Sequence, residues 1–251
     1  MKRPTIIIVL LVMALAFSFA QGANESESGV KKYVVASDAT WPPLEFVNEA
    51  GDLAGFEVEL AQEIGKVTGN EIEVKNTAWD SIFAGLENGA YDGIASGVTI
   101  TEDRKNAMDF ATPFLNCGQV VIVPNDSSYT GIDDLSGKKI GVQIGTTGDI
   151  SLDDYDVKKA QYDEISLALI DMVNGNIDAA VCDSLIASEF VLQESSYSGV
   201  LKIVGEPFTT EEIAMCVSKG NDEFLSVLNE GMKILEENGK LAELKAKWGL
   251  Y

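Results

Sequence analysis

Histidine is absent from the 251-residue chain, and cysteine occurs only at Cys117, Cys182 and Cys216. Without histidine, the commonest general base and the commonest metal ligand are both missing. This weakens an enzyme hypothesis, although carboxylate or lysine catalysis stays open. The cysteines are 65 and 34 residues apart, which fits no metal-ligand motif, and an odd count allows at most one disulfide.

Basic residues are also scarce. The chain has 18 Lys and Arg against 40 Asp and Glu, which gives a net charge of −22. A surface this acidic repels nucleic acid and anionic lipid, so we expect no nucleic-acid partner. Acidity can attract a cationic ligand, although it more often serves only solubility.

The N-terminus carries an apolar run of the length that targeting signals have. Lys2 and Arg3 precede an almost unbroken apolar run over residues 6–17, and Ser18-Phe19-Ala20 fits a small-x-small cleavage site. This predicts a signal peptide over residues 1–20, with an uncleaved anchor as the less favoured alternative, followed by a flexible segment over 21–29. Cleavage changes the net charge from −22 to −24. We expect the mature protein in the periplasm or another extracytoplasmic space.

Helix and strand patterns alternate along the rest of the chain. Apolar residues at steps of four, four and three predict a helix over 55–67 that Gly69 ends. Further helices are predicted over 81–87, 221–238 and 241–248. Short apolar runs predict strands, among them 33–37, 71–75, 119–123, 140–143 and 213–217. The alternation predicts an α/β fold.

The chain also repeats a motif. Residues 88–97 and 174–183 each contain an Asn-Gly pair after a helix, then an Asp, a short apolar strand and polar residues. This predicts two similar α/β lobes, with lobe 1 formed by residues 30–117 and 213–251 and lobe 2 by residues 118–212. Ligands of open α/β sheets bind beyond the carboxyl ends of the strands, so facing lobes predict a cleft. The chain crosses between lobes twice, near 114–118 and near 209–213, which predicts a two-strand hinge.

Arg104 occupies an unfavourable position in the stretch Ser96–Arg104, SGVTITEDR. Thr101 is predicted to cap a helix of which Arg104 is the third residue, where a cation costs roughly 0.3–1 kcal/mol against the helix dipole. A surface ion pair with a neighbouring aspartate is the plain explanation. Alternatively Arg104, Thr99 and the free N–H groups of the helix start bind an anion, because a guanidinium fits a carboxylate with two parallel bonds.

Two acids and two tryptophans complete the candidate chemistry. Asp38 and Asp183 each end a predicted strand, where a lone Asp is most often an Asx-turn or a cap. On facing lobes the pair would suit an ammonium group. Trp41 and Trp79, which we place in loops, are either core residues or a sandwich for a ligand side chain. The glycine-rich turn over 141–148 offers N–H groups to a small anion, although an ordinary tight turn is favoured there.

Four ordered segments resemble the solute-binding proteins of polar amino-acid ABC importers, the family of histidine-, lysine/arginine/ornithine- and glutamine-binding proteins. They are Gly55–Leu60, Ser96–Arg104, Gly145–Thr147 and Asp178–Asp183, and the likeness covers nearly all of residues 30–251. The resemblance implies two α/β lobes that close on a free amino acid. It implies no cofactor and no metal. It also implies delivery of the ligand by the closed form to a membrane-embedded ABC permease.

The resemblance assigns roles to individual residues. Arg104 would hold the α-carboxylate with Thr99 and the Thr147 backbone, while Asp183 would hold the α-ammonium with Thr99 and the Gly97 carbonyl. Ser96 would contact the side chain or the ammonium, and other positions would surround the side chain. The whole predicted site is Asp38, Trp41, Trp79, Ser96, Gly97, Thr99, Arg104, Gln143, Thr146, Thr147, Cys182 and Asp183.

The ligand and the partner are less sharply defined. Asp38 and the two tryptophans slightly favour arginine or lysine, but glutamine-binding relatives also carry this Asp, so glutamine stays open. The alternatives to a transport protein are a cyclohexadienyl-dehydratase-like enzyme on the same fold, the sensing domain of a receptor and a scavenging protein without a transporter. We expect a monomer.

Overall fold

The structure, a computed structural model, describes residues 29–250. The predicted signal peptide and residues 21–28 lie outside the described residues. The chain divides into the units Met1–Val30 and Lys31–Tyr251, and every strand and helix below belongs to the second unit. Within the described part, no helix combines the length and the apolar character that a membrane span requires.

The elements follow one another in the alternation that the sequence predicts. The described strands are β1 (Lys32–Ser37), β2 (Thr40–Trp41), β3 (Glu45–Val47), β4 (Leu53–Ala54), β5 (Glu71–Asn76), β6 (Gly93–Ile94), β7 (Met108–Phe110), β8 (Leu115–Cys117), β9 (Gln119–Pro124), β10 (Lys139–Gln143), β11 (Lys158–Tyr162), β12 (Ala179–Asp183), β13 (Leu201–Val204), β14 (Glu211–Ile213) and β15 (Cys216–Ser218). The described α-helices are α1 (Phe56–Thr68), α2 (Trp79–Glu87), α3 (Glu102–Ala107), α4 (Thr147–Ser151), α5 (Ile165–Val173), α6 (Ser184–Ser188), α7 (Asp222–Glu237) and α8 (Lys240–Lys247). Short 3-10 helices cover Ile132–Leu135 and Leu152–Asp154, and a π-helix covers Glu189–Gln193.

Two five-stranded sheets share one topology. The first sheet has the order β5-β1-β6-β15-β7, and the second has the order β11-β10-β12-β9-β13. In each sheet the first three strands are parallel and the last two join antiparallel. The fold is therefore the predicted two-lobe fold of periplasmic binding proteins. A small third sheet, β2-β3-β4, lies between β1 and α1 in the chain.

The repeated motif makes the same contacts in both sheets. Asn88 and Asn174 cap the C-termini of α2 and α5, and an aspartate follows each. Asp92 accepts the backbone N–H of Val34 over 2.7 Å, and Asp178 accepts that of Lys139 over 2.9 Å. In both sheets the aspartate thus accepts a backbone N–H of the adjacent strand, β1 or β10, which gives the repeated motif a physical cause.

The two sheets are connected by a pair of antiparallel strands, β8 and β14. All strands of the second sheet lie between residues 119 and 204, inside the predicted lobe 2, whose exact bounds remain a prediction. The single strand predicted over 213–217 is wrong, because β14 ends at Ile213 and β15 begins at Cys216. The break between them lets the chain leave the hinge and enter the first sheet.

The helix predictions hold, with one correction at the tryptophans. Helix α1 begins after Gly55 and ends at Gly69, whose φ of 71° is left-handed. Helix α2 begins at Trp79, two residues earlier than predicted, because the Trp79 ring packs edge-on against Phe83 one turn later. Trp79 is therefore a helical residue, and Trp41 ends strand β2, so neither tryptophan lies in the predicted loop.

The largest fully buried side chains come from both halves of the chain. Phe56 of α1 and Phe224 of α7 are buried against the first sheet, and Ile165 of α5 is buried with Ile122 of β9 in the second. Apolar burial of this extent is the main force that holds such layers together. It leaves the carboxyl ends of β1, β10 and β12 to carry polar side chains.

Candidate functional site

A small cavity lies where the carboxyl ends of the two sheets face each other. Nine residues line it: Trp41, Trp79, Ser96, Gly97, Thr99, Arg104, Thr146, Thr147 and Asp183. All nine belong to the twelve predicted site residues. The cavity has a volume of about 10 Å³, room for about one water molecule, so an amino acid can enter only if the facing side chains move apart.

Arg104 reaches this small cavity from the start of α3. Thr101 caps the helix by accepting the Arg104 backbone N–H, as predicted. The guanidinium donates to the Thr99 carbonyl over 2.9 Å and stands 5.6 Å and 5.1 Å from the ring centres of Trp79 and Phe83. Burial lowers the pKa of Arg104, and neighbouring negative charges oppose the shift. An arginine stays protonated under such conditions, so the cavity contains a fixed positive charge.

Asp183 contributes a negative charge on the opposite side. It is the last residue of β12, is buried, and accepts a hydrogen bond from the Cys117 thiol over 2.9 Å. Burial raises the pKa of Asp183 to about 6, and the charge of Glu211 adds to the shift. Burial and the charge of Asp183 likewise raise the pKa of the Cys117 thiol far above its usual range, which keeps Cys117 a donor. Asp183 thus lacks a cationic partner among the described residues at hydrogen-bond distance.

Glu211 is a site residue that the sequence did not reveal. It begins the hinge strand β14 and is buried. Its Oε2 accepts the Thr99 hydroxyl over 2.8 Å and the Thr147 hydroxyl over 2.7 Å, and Gln119 Nε2 donates to it over 3.3 Å. Glu211 therefore joins one residue of the first half of the site to two of the second.

Thr146 and the turn before it have a mainly structural role. Thr146 caps α4 by accepting the Asp149 backbone N–H, and Asp149 in return accepts the Gly145 N–H over 3.0 Å. Gly145 has a φ of 70°, a left-handed conformation that glycine adopts without strain. Its carbonyl faces Arg104, whose Nη2 lies 3.4 Å away. The turn places Thr147, the first residue of α4, at the small cavity.

Asp38 and Gln143 connect the two sheets beside the small cavity without lining it. Gln143 Nε2 donates to Asp38 Oδ2 over 2.9 Å, and Gln143 Oε1 accepts the Trp41 indole N–H. Burial raises the pKa of Asp38 to about 6, although the hydrogen bonds from Gln143 and Thr40 oppose the shift. The rings of Trp41 and Trp79 stand nearly parallel, 6.5 Å apart with an angle of 14° between their planes.

Two buried glutamates, neither of which is predicted as a site residue from the sequence, support the Ser96–Gly97 segment. Gly97, with a φ of 55°, donates its N–H to Glu57 Oε2 over 2.7 Å, and the Ser96 hydroxyl donates to Glu45 Oε1 over 3.3 Å. Burial raises the pKa of both Glu45 and Glu57, and the charge of Glu57 raises that of Glu45 further. One oxygen of each carboxyl group has no donor within the described residues, so a shared proton would satisfy both groups.

Cys182 is not brought into the site. Its side chain is buried in the apolar core with Val120 and Ile122, on the opposite face of β12 from Asp183. All three cysteines are free thiols. In the described part of the chain, a metal ion would find its ligands at Cys117, Asp183 and Glu211, whose ligand atoms lie within 4.8 Å of one another. An ion there would have to displace the hydrogen bonds that these groups already make.

Chemically, the arrangement suits a small zwitterion. It sets a guanidinium from one half of the molecule against a buried carboxylate from the other, with hydroxyl groups between them. Each charged end of a zwitterion needs such a partner, because an unpaired buried charge is costly.

Comparison with known proteins agrees with this chemistry. Residues 33–251 match the family model described as bacterial extracellular solute-binding proteins, family 3. A probable histidine-binding protein of Neisseria gonorrhoeae is 34% identical over 249 residues, 95% of this chain and 92% of the relative. The L-cystine-binding protein of Escherichia coli is 33% identical over 219 residues, 86% of this chain and 81% of the relative.

A solved structure shows the same fold. An ancestral arginine-binding protein bound to glutamine is 34% identical, with a TM-score of 0.83, and the match covers 89% of this chain and 100% of that one.

Proposed function

The chain belongs to the bacterial extracellular solute-binding proteins of family 3, and from this premise we propose that it binds a free polar or basic L-amino acid between its two sheets. It is an amino-acid-binding protein of ABC importers rather than an enzyme, since the similar proteins are named as binding proteins. The proposal concerns the ligand, the residues that hold it and the partner that receives it.

One observation carries the proposal: Arg104 and Asp183 line the same small cavity from opposite halves of the molecule. In the proposed complex, the α-carboxylate pairs with Arg104 and with backbone N–H groups of Thr99 and Thr147, whose hydroxyls would have to leave Glu211 to join it. The α-ammonium pairs with Asp183, which has no cationic partner at hydrogen-bond distance within the described residues. Closure follows because the ligand contacts both halves at once, and those extra contacts stabilise the closed form.

The ligand side chain is proposed to lie toward Asp38, Gln143 and the two tryptophans. Parallel indole faces attract a flat cation such as a guanidinium. A cationic side chain would also give the buried Asp38 a partner. Both features favour arginine, whereas the Gln143 amide would serve glutamine equally well, as the glutamine-bound relative of the same fold illustrates.

The partner of the loaded form is proposed to be the membrane permease of an ABC importer. Support comes from family membership and from a relative in Escherichia coli, 30% identical over 243 residues, that is named as an arginine-binding protein of an ABC transporter. We propose that the protein works as a monomer, because one chain supplies both halves of the site.

A thermal-shift screen against the twenty amino acids and ornithine tests the proposal. A ligand at a hundred times its dissociation constant stabilises the folded state by about 2.7 kcal/mol. We expect the largest shift with arginine, followed by lysine, ornithine or glutamine. If none of the amino acids shifts the unfolding midpoint, the proposed function is wrong.

A further inference from the structure

A second, large cavity adjoins the small one. Its volume is about 320 Å³, within the range of roughly 300–1,000 Å³ typical of small-molecule sites. The two cavities share Trp41, Gly97 and Asp183. The large cavity therefore borders the proposed amino-acid site, with these three residues between them.

The position of Asp183 shows which end of the ligand the large cavity meets. Arg104, Thr99 and Thr147, the proposed carboxylate partners, line only the small cavity. Asp183, the proposed ammonium partner, lines both. The large cavity thus begins at the ammonium end of the ligand, and a group attached to the α-nitrogen would point into it.

The wall of the large cavity is mostly apolar. Six of its fourteen lining residues are aliphatic: Leu44, Leu115, Leu185, Ile186, Ile213 and Leu250. The hydroxyl of Ser188 donates to the Ser184 carbonyl over 2.8 Å, and the Cys117 thiol donates to Asp183, so these groups already have partners. Among the described lining residues Asp183 is the charged one, so the wall presents no cation to an anionic group, although the Asn116 amide and the Ser184 hydroxyl are also polar. It suits an uncharged, apolar group.

We propose that the large cavity takes an apolar alkyl substituent on the α-nitrogen of the amino-acid ligand. The inference rests on the proposed function. An N-alkyl amino acid is a secondary ammonium that keeps its positive charge and two N–H donors for Asp183. An N-acyl amino acid has a neutral amide nitrogen and would leave Asp183 buried without a cation. The substrate class is thus N-alkylated amino acids, accepted beside the free amino acid, and N-acyl derivatives are rejected.

Calorimetric titration with four probes tests this inference. The probes are L-arginine and its Nα-methyl, Nα-propyl and Nα-acetyl derivatives; if the screen selects another amino acid, the same derivatives of that one are used. Each methylene buried in an apolar cavity strengthens binding up to about fourfold. We expect the propyl derivative to bind at least as tightly as the parent and up to about tenfold tighter, and the acetyl derivative more than a hundredfold more weakly.

The outcomes separate the two proposals. If no amino acid binds, the proposed function fails and the inference fails with it. If the parent binds but the propyl derivative binds more than tenfold more weakly, only the inference is overturned. Equal binding of the acetyl and propyl derivatives also overturns it, because the charge on nitrogen would then be irrelevant.

Variants that fill the large cavity give an independent test. Ser188→Phe and Leu185→Phe change residues that line only this cavity, and Ser195→Phe on the exposed surface is the control. We expect parent affinity within twofold of wild type in all three. A circular-dichroism spectrum like that of wild type shows which of the two filled variants fold. In those that do, affinity for the propyl derivative should fall at least tenfold, whereas in the control it should not change. Unchanged propyl binding in both filled variants overturns the inference.

Discussion

Gln143 and Asp38 are hydrogen-bonded across the cleft: the Gln143 Nε2 at the end of the second sheet donates to the Asp38 Oδ2 at the end of the first over 2.9 Å. The amide also accepts the Trp41 indole N–H, so one side chain holds two residues of the opposite half. Because this contact joins side chains of both halves directly, it stabilises their closed arrangement.

Replacement of Gln143 by Glu should open the ligand-free protein. Two carboxylates about 4 Å apart repel by about 4 kcal/mol at an effective dielectric constant of 20. Small-angle scattering at pH 8 should therefore show a larger radius of gyration for Gln143→Glu than for wild type. The exposed Gln193→Glu adds the same charge without facing Asp38 and should leave the radius unchanged. Identical radii for both variants would show that Gln143 does not hold the two halves together.

Replacement of Asp183 by Asn should stabilise the ligand-free protein at pH 8 while it abolishes tight binding. Burial raises the pKa of folded Asp183 to about 6, so its contribution to stability is fully present below pH about 4 and is lost as the pH rises through 6. The shift of about two units corresponds to about 3 kcal/mol at pH 8. Urea unfolding should show up to that gain at pH 8 and almost none at pH 4.

The exposed Asp126→Asn is the matched control and should change stability by less than about 0.5 kcal/mol at either pH. A loss of stability in Asp183→Asn at pH 8 would mean that its carboxylate is not under strain from burial.

Ligand affinity should fall as the pH drops below 6. Burial places the pKa of both Asp183 and Asp38 at about 6, and each must be charged to hold a cation. For a basic amino acid, the dissociation constant should rise about tenfold per pH unit for each group that titrates. Calorimetry between pH 8 and pH 4.5 should show a two-proton dependence of the dissociation constant in wild type. In Asp38→Asn, where only Asp183 of the two titrates, the dependence should be that of one proton. A dissociation constant that does not change with pH would show that neither carboxylate binds the ligand.

Replacement of Glu211 by Gln should destabilise the closed arrangement by about 1–3 kcal/mol. Both of its oxygens are acceptors, Oε2 from Thr99, Thr147 and Gln119 and Oε1 from Thr209, whereas an amide keeps one oxygen and turns its NH2 toward a donor in either orientation. Urea unfolding measures the loss. The neighbouring Glu212 is exposed, so Glu212→Gln is the control and should behave as wild type. If the two variants are equally stable, the hydrogen bonds to Glu211 contribute nothing.

The sequence predicts what depends on local rules. The cap Thr101, the glycine that ends α1 and the repeated Asn-Gly motif all act within a few residues, and the structure contains each of them. The unfavourable helix position of Arg104 was informative for the same reason, since a local cost calls for a compensating contact. That contact is with the rings of α2 and the Thr99 carbonyl.

The buried carboxylates were missed because their burial depends on tertiary contacts. Glu211 and Glu212 are adjacent and chemically identical, yet only Glu211 faces the site, as the register of β14 against β8 decides. Among 40 acidic residues, nothing local distinguishes Glu45, Glu57 or Glu211 from the solvated ones. Cys182 was placed in the site although strand alternation turns it toward the core. Successive side chains of a strand point to opposite faces, so if Asp183 faces the cleft, its neighbour Cys182 must face away from it.

The most direct measurement is a thermodynamic cycle between Arg104 and the ligand carboxylate. Calorimetry would compare L-arginine with agmatine, which lacks the carboxylate, on the wild type and on Arg104→Ala. Removal of one partner of a buried pair costs about 3–5 kcal/mol, so either single change should weaken binding at least a hundredfold. Because both changes remove the same contact, agmatine should bind the variant no more than about threefold more weakly than L-arginine does. If the two changes instead weaken binding by independent factors, so that agmatine binds Arg104→Ala at least a hundredfold more weakly than L-arginine binds it, the pairing of Arg104 with the carboxylate is contradicted.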